Sequence, residues 1–216
     1  METIGKIVLY ISICSPLFVL YAGRKEKALL WWYALAALFS DVSGLVSMLS
    51  HFKIPGHGNI FMVIELCFIT AYFNRVYKKR WLITLLCFVL VFFFFYHQLF
   101  LRQYDTTVPY SRYRVDLTAG ALFYLLYIIL SIAGFYKLVT GPLIDNILRS
   151  GFFWVNVTFL IYASGVFFMF MFAETIRKQD VALGAMLWST LFCGLNITKN
   201  ILLAKALYVH HESFKS

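Results

Sequence analysis

Charged residues are scarce in this chain. Asp, Glu, Lys and Arg together make up 13% of its 216 residues, whereas soluble domains carry roughly 25%. Hydrophobic residues account for 62% of the sequence, and the mean hydropathy is +0.78. A chain with so few charges cannot cover the surface of a water-soluble domain, so the composition predicts an integral membrane protein.

Cysteine is also rare, and its placement excludes two kinds of site. Cys14, Cys67, Cys87 and Cys193 all fall inside apolar segments, where a structural disulfide between loops cannot form. No two of them have the spacing of a metal site. We therefore expect four small core residues, and we expect neither a bound metal nor a cofactor.

Long polar segments are missing as well. The longest connection between apolar runs covers residues 102–116, which is too short to bury a core of its own. No nucleotide-binding loop and no nucleophile–base set at a recognisable spacing occurs. We therefore expect a single transmembrane domain over residues 1–216, and an enzyme is the less favoured class.

The net charge of +9 does not indicate a nucleic-acid partner. The basic residues form short clusters between apolar runs, which is the pattern of loops held against an anionic leaflet. No basic domain stands apart from the membrane segments. We expect contact with membrane lipid and no binding of nucleic acid.

Long apolar runs dominate what the chain does contain. About 20 apolar residues are needed for a helix to cross ~30 Å of hydrocarbon, and seven runs approach or exceed that length. They lie at residues 3–23, 29–50, 60–77, 81–101, 117–139, 151–176 and 184–208. Because the runs lack the alternation of a membrane β-strand, the predicted fold is all-α, a polytopic bundle of seven transmembrane helices.

The Lys and Arg counts of the connections predict the orientation. Ten lie on the side that holds the C-terminus and seven on the opposite side. The positive-inside rule then places the N-terminus outside and the C-terminus in the cytoplasm. We expect a multi-pass protein of the bacterial inner (cell) membrane.

Polar residues in the last run predict an inner polar cluster. Asn196, Lys199 and Asn200 are spaced i, i+3 and i+4, so they share one helix face. With ~1.5 Å per residue, Lys199 lies ~12 Å, Asp41 ~18 Å and Asn156 ~9 Å from the cytoplasmic face. We predict that these five residues form one cluster. Lys199 has three alternative roles: it snorkels to the interface, forms a structural pair between helices, or binds a ligand or ion.

The position of Glu65 in the third run predicts a second polar site, near the outer face. It lies ~7.5 Å into the third run from the outside, too far from Lys199 for a direct pair. With His97 and Glu174 it would form an outer polar mouth for a cationic ligand or a proton. The alternative is a carboxylate that accepts hydrogen bonds from tyrosines or loop donors. None of these residues has the helical spacing of metal ligands.

Three sequence blocks carry a resemblance to a known group of proteins. Residues 59–80 contain a Glu in an aromatic helix followed by a basic loop. Residues 153–165 contain Phe-Trp-x-Asn and Leu-x-Tyr-x-Ser-Gly, and residues 195–202 contain Asn-Ile-x-x-Asn-Ile-Leu. The chain resembles an uncharacterised family of small bacterial seven-helix membrane proteins. Leu66 and Cys193 depart from that pattern, which has an aromatic and a histidine there. The resemblance implies a common fold and a shared polar layer, and it implies no reaction.

The sequence therefore favours a non-enzymatic multi-pass membrane module. We expect a sensor or regulatory accessory that acts through a protein partner or as a homo-oligomer, in a signalling or phage-defence system. A small solute or ion transporter or channel, with Asp41, Glu65 and Lys199 as pathway charges, is the first alternative. An intramembrane lysolipid hydrolase that uses Asp41 and Glu65 is the second.

Overall fold

The computed structural model is helical throughout the part of the chain that it describes, which comprises residues 2–25, 29–49, 57–77, 80–96, 117–141, 146–179 and 188–213, with Gly184 and Met186. The α-helices are α1 (Glu2–Cys14), α2 (Pro16–Ala22), α3 (Leu29–Leu49), α4 (His57–Val76), α5 (Arg80–Tyr96), α6 (Leu117–Thr140), α7 (Gly151–Gln179) and α8 (Cys193–Ser213). No strand occurs in these ranges, which confirms the all-α prediction.

Four of the helices are long and apolar enough to cross a membrane. The apolar windows are Leu29–Val46 in α3, Gly58–Val76 in α4, Leu117–Thr140 in α6 and Gly151–Phe172 in α7. Two shorter apolar stretches cover Lys6–Ala22 and Ile83–Tyr96. Their lengths and composition indicate a membrane protein.

The first predicted run is divided into two helices. Pro16 has no N–H to donate into the preceding turn, and α1 therefore ends at Cys14. Around Ser15 the bonding tightens to the i→i+3 pattern: the Ser15 N–H donates to the Ser12 carbonyl at 3.1 Å, and the Phe18 N–H donates to the Ser15 carbonyl at 3.1 Å. The break places the hydroxyl groups of two serines inside the bundle, since Ser12 and Ser15 are both buried.

Helix α7 occupies the centre of the bundle, packed along both α6 and α8. Small residues allow the close approach on both sides. A Cβ added to Gly134 of α6 would lie 1.9 Å from the Asn156 Oδ1 of α7, and one added to Gly165 of α7 would lie 2.6 Å from Leu195 of α8. Such small residues at helix contacts are common in membrane bundles.

Aromatic side chains fill the core between the central helices. Phe159 of α7 lies 6.4 Å from Tyr33, 6.3 Å from Phe73 and 6.4 Å from Tyr127 between ring centroids. These distances are those of favourable tilted and edge-to-face aromatic pairs. The core thus brings α3, α4, α6 and α7 together around one phenylalanine.

The C-terminal end of α4 is fixed to α6 by two polar contacts. The Lys137 ammonium donates to the Val76 carbonyl, and the Tyr77 hydroxyl donates to the Leu130 carbonyl at 2.7 Å. A lysine that donates to a free carbonyl at a helix C-terminus also complements the helix dipole.

A π-helical turn interrupts the final run. Gly184 and Met186 are helical, Trp188–Phe192 form the π-helical turn, and α8 follows from Cys193 to Ser213. A π-helical turn widens the backbone and is frequent at functional sites. Helix α4 also departs from its predicted bounds, since it starts at His57, three residues before residue 60.

Candidate functional site

The most deeply buried charges of the described residues form an ion pair. The Lys199 Nζ lies 3.8 Å from the Glu65 Oε1, and the two side chains are 2% and 1% exposed. Lys199 comes from the middle of α8 and Glu65 from α4. A buried ion pair is tolerated only when further hydrogen bonds satisfy both partners.

Tyrosine hydroxyls supply those hydrogen bonds to the carboxylate. Tyr33 of α3 donates to the Glu65 Oε1 at 2.6 Å, and Tyr124 of α6 donates to the Glu65 Oε2 at 2.9 Å. Each carboxylate oxygen therefore has one phenolic donor. The alternative interpretation of Glu65, a carboxylate that accepts hydrogen bonds from tyrosines, is confirmed.

The lysine contacts Tyr33 as well, together with a third tyrosine. The Lys199 Nζ donates to the Tyr33 hydroxyl at 2.9 Å and lies 4.4 Å from the ring centroid of Tyr162 on α7. The Tyr162 hydroxyl is 3.5 Å from that of Tyr124. A cation over an aromatic face is stabilised by the ring quadrupole, and more strongly where water is excluded.

These five side chains form what we call the Glu–Lys–Tyr network: Tyr33, Glu65, Tyr124, Tyr162 and Lys199. It joins α3, α4, α6, α7 and α8, one residue from each helix. A continuous chain of donors runs from the Lys199 ammonium through the Tyr33 hydroxyl to the Glu65 carboxylate. Networks of this kind bind helices together, and inside a membrane they also offer a route for a proton.

The network excludes one alternative and corrects one prediction. Lys199 does not snorkel to the interface, since it is almost fully buried. Glu65, which was predicted to lie too far from Lys199, forms a direct pair with it. The depth estimate failed because α4 starts earlier and α8 ends later than predicted, which moves both residues toward the middle of the bundle. Helical side chains also lean toward the N-terminus of their helix, so Lys199 reaches away from the C-terminal end of α8.

The two asparagines predicted beside Lys199 bind a different part of the bundle. The Asn196 Nδ2 donates to the Ser12 Oγ at 3.0 Å, and the Asn200 Nδ2 donates to the Ser15 Oγ at 2.7 Å. Both bonds join α8 to the α1–α2 break. Both asparagines therefore hold the first run to the last, a connection that the predicted cluster did not include.

Asp41 lies close enough to Asn196 and Lys199 for both side chains to act on its carboxylate. The direct ion pair of Lys199 is with Glu65. The Asp41 Oδ2 is a buried atom with no hydrogen-bond partner. We use the name serine–asparagine cluster for Ser12, Ser15, Asp41, Asn196 and Asn200.

Asn156 does not join the inner cluster. Its Nδ2 donates to the Phe152 carbonyl at 2.7 Å within α7. Its Oδ1 occupies the space where a side chain on Gly134 would begin. The residue is fully buried between α6 and α7, so its role in the structure is helix packing. The prediction failed because depth alone does not say which way a helix face points.

The structure describes the side chain of only one of the three residues predicted to form the outer polar mouth. Glu65 belongs to the buried network, so it is not part of an outward-facing mouth. His97 lies outside the described residues, and of Glu174 the structure describes only its place in α7. Over the described ranges, no three His, Cys, Asp or Glu side chains come together as a metal ion would require.

An apolar groove lies on the outer face of α7 and α8. It has a volume of about 520 Å³, and its lining includes Ile161, Leu191, Gly194 and Thr198. Thr198 donates to the Gly194 carbonyl, so it presents little polarity. A Cβ on Gly194 would meet no atom within 4 Å. The groove therefore offers another apolar surface close access to the α8 backbone.

Sequence reasoning missed the residues that complete both polar sites. Tyr33, Tyr124 and Tyr162 are three of fourteen tyrosines, and Ser12 and Ser15 lie in an ordinary apolar run. Pro16 was the one sequence feature that pointed to the two serines. A proline inside a membrane helix leaves backbone carbonyl groups without a donor, and neighbouring hydroxyl groups can then bond to them.

No known protein family matches this sequence, and neither a curated relative nor a solved structure is similar to it.

Proposed function

We propose that the chain is a non-enzymatic seven-span membrane module, a sensor or regulatory accessory that acts through a protein partner. Helices α1 and α2 together would form the first span, and the π-helical turn with α8 the last. The N-terminus would lie outside and the C-terminus in the cytoplasm of a bacterial inner membrane. The proposal includes a role beside a signalling or phage-defence system.

One observation carries this proposal: the Glu–Lys–Tyr network is closed to solvent. Glu65 and Lys199 are each at most 2% exposed, so a substrate has no route to these charges. A catalytic acid or base must come within hydrogen-bonding distance of the group on which it acts. The arrangement therefore favours coupling between helices over chemistry on a substrate.

Coupling is the behaviour that such a network supports best. Lys199 and Glu65 each contact residues from at least two other helices, so a shift of α8 changes the environment of α3, α4 and α7 together. Polar contacts in a low-dielectric interior break at a high cost, which makes their rearrangement a discrete event. A sensor needs such a two-state element.

The apolar groove is the surface where we place the partner. Gly194 and Thr198 are four residues apart on α8, and small residues at this spacing allow a second transmembrane helix to approach closely. The groove lies on the same helix as Lys199, which gives a partner a direct mechanical connection to the network.

Photo-cross-linking in native membranes tests this placement. A photoreactive residue at Thr198, inside the groove, should cross-link to one defined protein, whereas the same residue at Phe88 on the exposed face of α5 should not. Gly194→Trp, which fills the groove, should abolish the product from a photoreactive residue at Ile161. A product of twice the chain mass would indicate a homo-oligomer. Cross-links to lipid alone at every position, with recovery of the chain alone in several mild detergents, would contradict the proposal.

A small transporter or channel is the second candidate. The observation in its favour is the Asp41 Oδ2, a buried carboxylate oxygen without a partner, because unpaired intramembrane carboxylates mark ion pathways. Solute and ion flux into liposomes that contain the purified chain tests it. Asp41→Asn should remove the flux if the candidate is right, and unchanged leakage over a panel of ions and solutes would dismiss it.

The lysolipid hydrolase is less favoured, because a substrate would have to displace two tyrosines to reach Glu65. Its test is the release of product from a lysolipid by the wild-type chain, with Asp41→Ala and Glu65→Ala as inactive variants.

A further inference from the structure

The serine–asparagine cluster gathers oxygen atoms around a break in the first helix. The hydroxyl groups of Ser12 and Ser15 accept hydrogen bonds from Asn196 and Asn200 at 3.0 and 2.7 Å. Asp41 adds a carboxylate beside Asn196. Hydroxyl, amide and carboxylate oxygens are the ligands that hard cations prefer in proteins.

Two acceptors in this cluster are unused. The Asp41 Oδ2 and the Asn200 Oδ1 are both buried and have no hydrogen-bond partner. Asn200 is fully buried, and its Nδ2 donates to the Ser15 hydroxyl, which leaves the Oδ1 of the same amide as the unused acceptor. A buried acceptor without a donor loses the full free energy of its hydration. Two such atoms in one cluster need an explanation.

The charge balance of the bundle interior supplies it. Within the described helices, the interior contains the carboxylates of Asp41 and Glu65 and a single ammonium, that of Lys199, which is paired with Glu65. Asp41 forms no ion pair within the described residues. The Lys199 charge also acts on Asp41, so two carboxylates share one ammonium. The interior therefore lacks one positive charge, and an uncompensated charge inside a membrane is expensive.

The backbone around the cluster is irregular on both sides. The α1–α2 break passes Ser15 on one side, and the π-helical turn Trp188–Phe192 precedes Cys193 and Asn196 on the other. Ser15 keeps right-handed helical dihedral angles (φ −61°, ψ −31°), so the chain there is tightened and not unwound. The unused oxygen atoms thus belong to a cluster flanked by two turns that depart from α-helical hydrogen bonding.

We propose that the serine–asparagine cluster binds one small monovalent cation, with the Asp41 carboxylate as its charged ligand and the Asn200 Oδ1 and the Ser12 and Ser15 hydroxyls as neutral ligands. Na⁺ is the probe for this site. The cation neutralises Asp41 and satisfies the two unused acceptors, and it links α1, α3 and α8. The site stands independently of the partner-binding role proposed above.

The test is direct binding of ²²Na⁺ to the purified full-length chain in detergent micelles, together with thermal unfolding followed by tryptophan fluorescence. Wild type should bind ²²Na⁺ saturably, and unlabelled Na⁺ but not choline should displace it. Na⁺ in place of choline at constant ionic strength should raise the ratio of folded to unfolded chain by about eleven-fold when its concentration is ten times Kd.

Variants separate the site from general destabilisation. Asp41→Asn should abolish ²²Na⁺ binding, and Asn200→Ala should weaken it. Asn156→Ala is the matched control, because Asn156 is also a fully buried asparagine with an unpaired Oδ1 but lies between α6 and α7. It should lower the unfolding temperature and leave the Na⁺ response unchanged.

Four results would overturn the site: no saturable ²²Na⁺ binding by wild type, binding that survives Asp41→Asn, binding that Asn156→Ala removes equally, or stabilisation by acid alone without any effect of Na⁺. The last result would mean that Asp41 holds a proton instead of a metal ion. Because wild type is measured directly, a variant that fails to fold does not leave the question open. The isolated chain is used, so failure here leaves the partner proposal standing, and a missing partner leaves the cation site standing.

Discussion

Glu65 shows how one side chain decides the interior of this bundle. Its two carboxylate oxygens accept hydrogen bonds from tyrosines on two helices, and its charge is balanced by a lysine from a third. Removal of one partner from a buried ion pair leaves an uncompensated charge, whereas removal of both leaves a space that an apolar side chain can fill. The two kinds of change therefore have very different consequences.

Glu65→Gln and Lys199→Met, made singly, should each lower the free energy of unfolding by about 3–5 kcal/mol. The double variant Glu65→Gln/Lys199→Met should lose clearly less than the sum of the two, because neither charge is then left alone. Unfolding of the purified chain in micelles by denaturant measures all three. A double variant that loses the full sum would mean that the two residues do not interact.

Tyr33→Phe should lower the free energy of unfolding by about 1–3 kcal/mol, since the hydroxyl both accepts from Lys199 and donates to Glu65. Tyr10→Phe is the control, because Tyr10 is half exposed on α1. The same unfolding assay compares them. Equal small effects of the two substitutions would show that the Tyr33 hydroxyl has no stabilising role.

The sequence was sufficient to mark Lys199 and Glu65 as residues that need partners, because charges inside an apolar run are costly wherever the run folds. It was insufficient to pair them. Pairing depends on where α4 starts and how far α8 extends, and each of these bounds moved by a turn. It also depends on tyrosines, which are so numerous that nothing in their spacing singles out Tyr33, Tyr124 and Tyr162.

Two helix glycines differ in the space that surrounds them. Gly134 of α6 faces the Asn156 amide of α7, and that amide is held in place by its bond to the Phe152 carbonyl. Gly194 of α8 faces the open groove. Two glycines inside apolar helices thus have opposite tolerance for a side chain, although the sequence gives them the same appearance.

Gly134→Ala should destabilise the chain by about 1–3 kcal/mol, because the new methyl group meets the Asn156 Oδ1 and overpacks the α6–α7 contact. Gly194→Ala should be neutral or stabilise it by about 0.5–1 kcal/mol, since alanine lowers the entropy cost of the helix without a clash. Thermal unfolding of the two variants side by side gives the comparison. Partial recovery of Gly134→Ala by Asn156→Ala would assign the loss to this contact, and a destabilised Gly194→Ala would contradict the open groove.

The sequence was a better guide to the presence of a helix than to an interruption within one. The start of α7 coincides with the predicted start at residue 151, because the residues before it do not continue a helix. The π-helical turn before α8 leaves no comparable mark in composition, since it differs from an α-helix only in which carbonyl each N–H reaches.

In the folded molecule, one of two lysines of α8 is buried and the other is exposed to solvent. The Lys199 ammonium is buried against side chains of α3, α4 and α7. Lys205, six residues later, is exposed, and its Nζ lies 3.6 Å from the ring centroid of Trp154. Both fall within an apolar helix, and both could have been assigned to the interface on sequence alone. Only the packing of the other helices distinguishes them.

A membrane-impermeant maleimide tests that division. In a chain whose native cysteines are replaced by alanine, Lys199→Cys combined with Glu65→Gln should stay unlabelled until the chain is denatured. Lys205→Cys should label readily in the folded chain. Labelling is read as a mass shift on a gel. Rapid labelling at position 199 in folded chain would show that water reaches the Glu–Lys–Tyr network.

The Lys199–Tyr33 bond joins residues that are 166 positions apart in the chain, and this separation has a consequence for biosynthesis. Helices leave the ribosome in order, so in a membrane α3 and α4 would be inserted long before α8 exists. Until then, Glu65 has no counter-charge, and Ser12 and Ser15 have no asparagine. The early helices would therefore form an incomplete assembly that depends on the insertion machinery, and arrival of the last helix would close both polar sites at once. Quality control of this protein should accordingly act on its C-terminal end, where a lost α8 would leave every other helix inserted but unassembled.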